Sequence, residues 1–330
     1  MKKIFALLLS AVLLVTLLAA CGGGNTTDTD TDTQEPATDA STTQVEEQEP
    51  DTGDASKDDP LNQDEIGEKE LLVVSFGTSY NDSRRETIGA IEKAMQTAFP
   101  DYSVRRAFTS QIIIDHVKDR DGVTIDNVEQ ALERAVNNGV KTLVVQPTHL
   151  MNGLEYEELT DELAKYSDSF EKIAIGDPLL TSDADFEAVM TAITDATKDA
   201  ADGKTAICFM GHGTTADSNS VYSKMQTLLT DKGFNDYYVG TVEATPSLDD
   251  VLAAVQKGNY EKVILRPLMI VAGDHANNDM AGDEDDSWKS TFEKAGYTVD
   301  CQVEGLGQLE AIQQLFVEHA KAAVASAEAE

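Results

Sequence analysis

Short apolar runs alternate with amphipathic stretches from Leu71 to the end of the chain, and this alternation restricts the fold more than any other feature. Two of the runs, Ala206-Ile-Cys-Phe-Met210 and Val263-Ile-Leu-Arg-Pro-Leu-Met-Ile270, lead into glycine turns that carry His212 and His275. Runs this short, apolar throughout and rich in β-branched residues, predict parallel strands buried on both faces. Helical spacing predicts helices over 84–99, 124–137, 153–166, 221–229, 248–256, 288–295 and 309–327. Strands are expected over 71–76, 103–108, 142–146, 206–210, 237–242, 263–270 and 299–303, with a short one at 173–175. The pattern is that of an α/β protein with parallel sheets flanked by helices.

The two halves correspond. Ser75-Phe-Gly77-Thr78 matches Met210-Gly-His-Gly213-Thr214, and Lys141-Thr-Leu-Val-Val-Gln-Pro147 matches Lys262-Val-Ile-Leu-Arg-Pro267. This internal duplication predicts two similar βαβ lobes, an N-terminal one over 70–200 and a C-terminal one over 201–330. A ligand crevice is expected between them, at the carboxyl ends of the strands.

Ahead of the lobes the composition changes. Lys2 and Lys3 precede an apolar stretch that ends in Leu18-Ala-Ala-Cys21. Residues 1–20 read as a signal peptide, too short for a stable membrane span. The cysteine at the cleavage position fits a bacterial lipobox, which would leave Cys21 lipidated; an ordinary signal peptide followed by a chance cysteine is the other reading. Residues 21–69 are dominated by Thr, Asp, Glu and Gln and are expected to be a disordered acidic tether. The expected location is outside the cytoplasmic membrane, on its outer face or in a periplasm.

The formal charge of −35 excludes nucleic acid as a natural partner, because phosphate binding needs a basic face. Cys208 falls mid-strand and reads as a small buried hydrophobe, and nothing in the sequence pairs it with Cys301. Association with further copies or with a transporter is left open.

His212, Glu243 and His275 each follow an expected strand of the C-terminal lobe. Two imidazoles and a carboxylate suit a divalent transition metal and leave coordination positions open. The spacing itself is not specific, and three separate polar residues bonded to backbone would produce it equally. Ser75, Gly77, Thr78, Arg84 and His149 sit at strand ends or on the following helix of the N-terminal lobe and are expected to bind substrate. Arg85 and Arg266 are further candidates for substrate carboxylates. His116 and His319 fall on expected helices and read as structural or solvent-facing, and the run 283–286 reads as an acidic helix start before Trp288.

The stretch from Pro267 to Trp288, with its Gly273-Asp274-His275-Ala-Asn-Asn-Asp-Met core, resembles the signature of the anaerobic-pathway sirohydrochlorin cobaltochelatases, which are class II, ferrochelatase-like chelatases. Gly211-His212-Gly213, Gly240-Thr-Val-Glu243, Ser75-Phe-Gly-Thr-Ser79 and Gln146-Pro-Thr-His149 resemble that family in the same order. The resemblance implies two lobes clamping a tetrapyrrole, with His212, Glu243 and His275 binding the metal. It implies that His212 and Glu243 act on the pyrrole protons, and that the metal substrate is Co²⁺, with Fe²⁺ or Ni²⁺ as alternatives. It requires no organic cofactor. The competing expectation is a surface lipoprotein that binds metal, haem or a corrinoid without turnover.

Overall fold

The computed structural model describes residues 52–329. The expected signal peptide, Cys21 and most of the expected tether lie outside these residues.

Two parallel four-stranded sheets form the frame, ordered β2-β1-β3-β4 and β6-β5-β7-β8. The first contains β1 (Lys69–Ser75), β2 (Ser103–Phe108), β3 (Thr142–Pro147) and β4 (Lys172–Ile175). The second contains β5 (Thr205–Gly211), β6 (Tyr237–Thr241), β7 (Lys262–Pro267) and β8 (Thr298–Cys301). The identical strand order is the structural form of the duplication. The central strands are the most apolar: every residue of β5 is buried, and Cys208 lies between Tyr238 of β6 and Leu265 of β7. Burial pushes the Cys208 thiol up, so it stays a protonated hydrophobe, and both Cys208 and Cys301 are free.

The helices of the first half are α1 (Asn81–Glu86), α2 (Ile88–Ala98), α3 (Gln111–Asp121), α4 (Val128–Asn137), α5 (Leu154–Ala164) and α6 (Asp183–Thr197). Those of the second are α7 (Ser220–Asp231), α8 (Leu248–Val255), α9 (Trp288–Lys294) and α10 (Glu310–Ala329). The single helix expected over 84–99 is broken at Thr87 into α1 and α2. The sequence pattern left α6 unassigned, although Ser182 and Asp185 form a capping box at its start.

The lobes exchange helices. α6 leaves the first sheet and packs on α7, where Thr197 Oγ1 lies 2.8 Å from the Tyr237 hydroxyl of β6. α10 returns from the second half to pack on β3, β4 and α2. Lys172 of β4 donates to the Ala327 carbonyl of α10 at 2.8 Å. His319 of α10 bridges the two halves, facing the Asp177 carbonyl and the Asp185 carboxylate of α6 at 3.1 Å each. One apolar core therefore runs through both lobes, from Val73 and Val144 to Phe209 and Ile264, by way of Phe186 and Phe316. The boundary expected at residue 200 does not divide this shared core, although two further clusters each stay within one half, and 310–329 packs on the first sheet.

The tether is shorter than its composition implied. Residues 52–68 lie on the first lobe, with Leu61 in the core and the Asp58 side chain only 3% exposed. Asp58 is ordered because Arg84 and Arg106 are buried beneath it, with Arg84 Nε at 2.6 Å and Arg106 Nη1 at 2.7 Å. Glu92 completes this buried charge cluster by accepting from Arg106 at 2.7 Å. Paired charges of this kind tolerate burial where single ones do not.

Candidate metal centre

β5 and β6 are neighbours, so the residues that follow them leave the sheet side by side. The Val242 amide donates to the Gly211 carbonyl at 3.0 Å and the Glu243 amide to the His212 carbonyl at 2.9 Å. These bonds extend the strand pairing and place the His212 and Glu243 side chains together. Gly213, at φ +90°, lets the two loops close: a Cβ there would lie 2.9 Å from the Ala244 amide nitrogen. Asn219 ties the same loops, accepting from the Thr214 amide at 3.0 Å and donating to the Thr245 carbonyl at 2.7 Å.

His275 arrives from the other side of β5, on the loop after β7. The His212 and His275 rings meet edge to face with centroids 4.7 Å apart, and His212 Nε2 lies 4.0 Å from Glu243 Oε1. One ligand atom from each of His212, Glu243 and His275 falls within 4.8 Å of the others. Donors bonded to one cation at about 2 Å lie no more than about 4 Å apart, so the three side chains must close slightly to share an ion.

The imidazoles are oriented. His212 Nδ1 donates to the Gly213 carbonyl at 2.7 Å, which leaves the Nε2 lone pair free. His275 Nδ1 donates to Asp279 Oδ2 at 2.7 Å, which does the same. Asp279 lies in the single π-helical turn 276–280, where His275 and Asp279 are four residues apart. A carboxylate behind a ligating histidine fixes its tautomer and raises its basicity. Sequence reading passed over Asp279, and the His-x-x-x-Asp spacing was the available signal.

The family model for the cobalt chelatase (CbiK) matches residues 69–325. The chain belongs to the cobalt chelatase family. A sirohydrochlorin cobaltochelatase of Salmonella typhimurium is 38% identical over 251 residues, covering 76% of this chain and 94% of the relative. The sirohydrochlorin cobaltochelatase CbiKC of Nitratidesulfovibrio vulgaris is 30% identical over 260 residues, covering 78% and 91%. Among solved structures, SirB from Bacillus subtilis with Fe³⁺ shares the fold at a TM-score of 0.57 and 14% identity, over 80% of this chain and 98% of that one.

In this chain the loops at the carboxyl ends of the two sheets face each other. Thr78 Oγ1 lies 3.2 Å from the position a Cβ on Gly273 would take, and Ser218 Oγ lies 3.5 Å from that of Gly153. Gly77, at φ +101°, makes the turn under which the Phe108 ring packs.

The expected substrate-binding residues fare differently. Arg84 is fully buried and its guanidinium is consumed by Asp58, the Thr78 carbonyl and Asn81, so it offers nothing to a substrate carboxylate. Arg85 pairs with Asp82 and Glu86, and Arg266 with Gln302 and Glu304. Ser75 is also buried, with its hydroxyl 2.7 Å from that of Thr148, joining the ends of β1 and β3. Thr78 is 3% exposed, and its Oγ1 accepts from the Tyr80 amide at 3.2 Å.

His149 is different. It follows β3, is 9% exposed, and neither ring nitrogen has a partner within the described residues. Burial pulls its pKa down to about 4, so the ring is neutral near pH 7 and keeps a lone pair. The run 283–286 precedes the helix and does not form its first turn: Ser287 caps α9, and Asp283 and Asp285 reach forward to Lys289 and Lys294.

Proposed function

We propose that this chain inserts Co²⁺ into sirohydrochlorin, with His212, Glu243 and His275 receiving the metal. The reading rests on the convergence of three ligand atoms within 4.8 Å, in a chain of the cobalt chelatase family. Metal insertion replaces two pyrrole N–H protons by one divalent cation, so the site must hold the cation and accept protons. His212 and Glu243 are about half exposed, at 49% and 57%, and can reach a macrocycle seated between the lobes. His275 is less exposed, at 33%, and is braced by Asp279, which suits it to hold the metal. In this reading His212 and Glu243 take the two protons as the cation passes to the ring nitrogens. Imidazole and carboxylate are both side chains that can accept a proton as general bases. Fe²⁺ and Ni²⁺ fit the same donor set and are alternative metal substrates.

The proposed location is extracytoplasmic, with Cys21 lipidated. Its support is the Leu18-Ala-Ala-Cys21 sequence and the acidic stretch that follows. Incorporation of labelled fatty acid that disappears in Cys21→Ala tests it.

The same lipobox and acidic stretch favour the second reading, a surface protein that captures metal or a tetrapyrrole. An anaerobic assay of the full chain with sirohydrochlorin and Co²⁺ separates the two. A chelatase converts many equivalents and loses turnover in His212→Ala. A carrier saturates at one equivalent.

A further inference from the structure

We infer that residues 52–61 are a positioning strap that sets the seat of His275, acting through Asp58, Arg84 and α1. The inference rests on the proposed role of His275 as a metal ligand. The strap lies ahead of residue 69, where the match to the family model begins.

The physical path is short. α1 is a helix of six residues whose N-cap, Tyr80, makes no side-chain capping bond. A helix of that length does not hold itself in place. The strap supplies what is missing. The Thr52 carbonyl accepts from the Asp82 amide at 2.8 Å, and the Gly53 carbonyl accepts from Asn81 Nδ2 at 3.1 Å. Asp58 then fixes Arg84, whose Nη1 donates to the Thr78 carbonyl at 3.1 Å. Both ends of the turn into α1 are thereby pinned from the strap side.

The opposite side of α1 meets the loop of the second lobe that carries His275. Ser83 Oγ accepts from the Ala272 amide at 3.0 Å. Thr78 faces Gly273, where a Cβ would lie 3.2 Å from Thr78 Oγ1. Glu86 accepts from Gln308 at 2.9 Å, holding the neighbouring segment 306–308. Ala272 and Gly273 lead directly to Asp274 and His275. Asp58 is thus linked to the loop of a metal ligand by Arg84, Thr78 and Ser83, across the junction of the lobes.

The test compares two carboxylates of one buried cluster in the full chain. Asp58 contacts both Arg84 and Arg106, whereas Glu92 contacts Arg106 alone. Asp58→Asn and Glu92→Gln each remove one buried negative charge, but only the first loosens Arg84. Co²⁺ is titrated into each variant and followed by its visible absorption, and the Co²⁺ KM and kcat are measured with sirohydrochlorin. The strap predicts that Asp58→Asn raises the Co²⁺ Kd and KM about tenfold, the scale of lost outer-sphere support, with a smaller change in kcat. Glu92→Gln stays near wild type in all three. Ser83→Ala breaks the path on the far side without disturbing a buried charge, and it shifts Kd in the same direction even if Asp58→Asn does not fold. Wild-type Co²⁺ affinity in both Asp58→Asn and Ser83→Ala, or an equal loss in Glu92→Gln, overturns the strap. Unchanged Co²⁺ affinity in His275→Ala overturns instead the metal-site reading on which it rests.

Discussion

The Asp279 carboxylate accepts a hydrogen bond from His275 Nδ1 at 2.7 Å and so leaves Nε2 as the ring's free lone pair. His212 reaches the same state through the backbone of the next residue, at the Gly213 carbonyl. The two supports differ in what mutation can remove. Asp279→Ala is expected to weaken Co²⁺ binding about 10- to 100-fold while leaving the fold intact. Co²⁺ titration alongside circular dichroism checks both halves of that statement.

Gly213 stands where the His212 and Glu243 loops touch. Gly213→Ala puts a side chain at φ +90° and 2.9 Å from the Ala244 amide nitrogen. The strain is expected to cost about 1–3 kcal/mol. Because relief requires the loops to part, Co²⁺ affinity falls with stability. Urea denaturation and metal titration of the same variant measure the two effects.

His149 gives the chain a pH dependence whose sign is fixed. Its pKa is near 4 in the folded protein and about 6.5 in an unfolded chain, so the unfolded state binds more protons between those values. The stability associated with a neutral His149 is present above pH 6.5 and falls as the pH drops towards 4. At pH 5 the loss amounts to about 2 kcal/mol. Urea denaturation at pH 7 and pH 5 is expected to show that difference shrinking in His149→Phe relative to wild type.

Asp58 carries a structural cost of its own. Asp58→Ala leaves Arg84 without its carboxylate and Arg106 with Glu92 alone. Breaking a buried pair from one side costs about 3–5 kcal/mol, so the melting temperature is expected to fall by many degrees. An exposed pair such as Lys204–Glu261 provides the contrast, since its removal is expected to change stability by less than about 1 kcal/mol.

The residues that were legible in the sequence share a physical reason. His212, Glu243 and His275 follow buried strands, and strand ends in parallel sheets converge on one edge. The order of apolar runs therefore carried the two parallel lobes and the placement of these three residues at strand ends, while their reading as metal donors came from the family resemblance. Cys208 was legible for the same reason, being mid-strand in β5.

What was not legible depends on partners distant in sequence. Arg84 looked like a carboxylate binder because the tether looked unfolded, and its true partner, Asp58, lies 26 residues earlier in a stretch of high polarity. Composition averages over such a stretch and cannot register one buried aspartate. Ser75 ends β1 as expected, but the match of its hydroxyl to Thr148, 73 residues away just after β3, could not be read from the sequence. The helix exchange was hidden by continuity of the chain, because α6 and α10 each follow the sheet they do not pack on. Asp279 needed the rotamer of His275, which spacing alone does not supply.

The most direct measurement is a crystal structure of the full chain soaked anaerobically with Co²⁺, with anomalous data collected on both sides of the cobalt edge. The account predicts one strong cobalt peak bonded to His212 Nε2, Glu243 and His275 Nε2, with Asp279 still bound to Nδ1 of His275. A cobalt peak on other residues, with these three side chains left without metal, would contradict it.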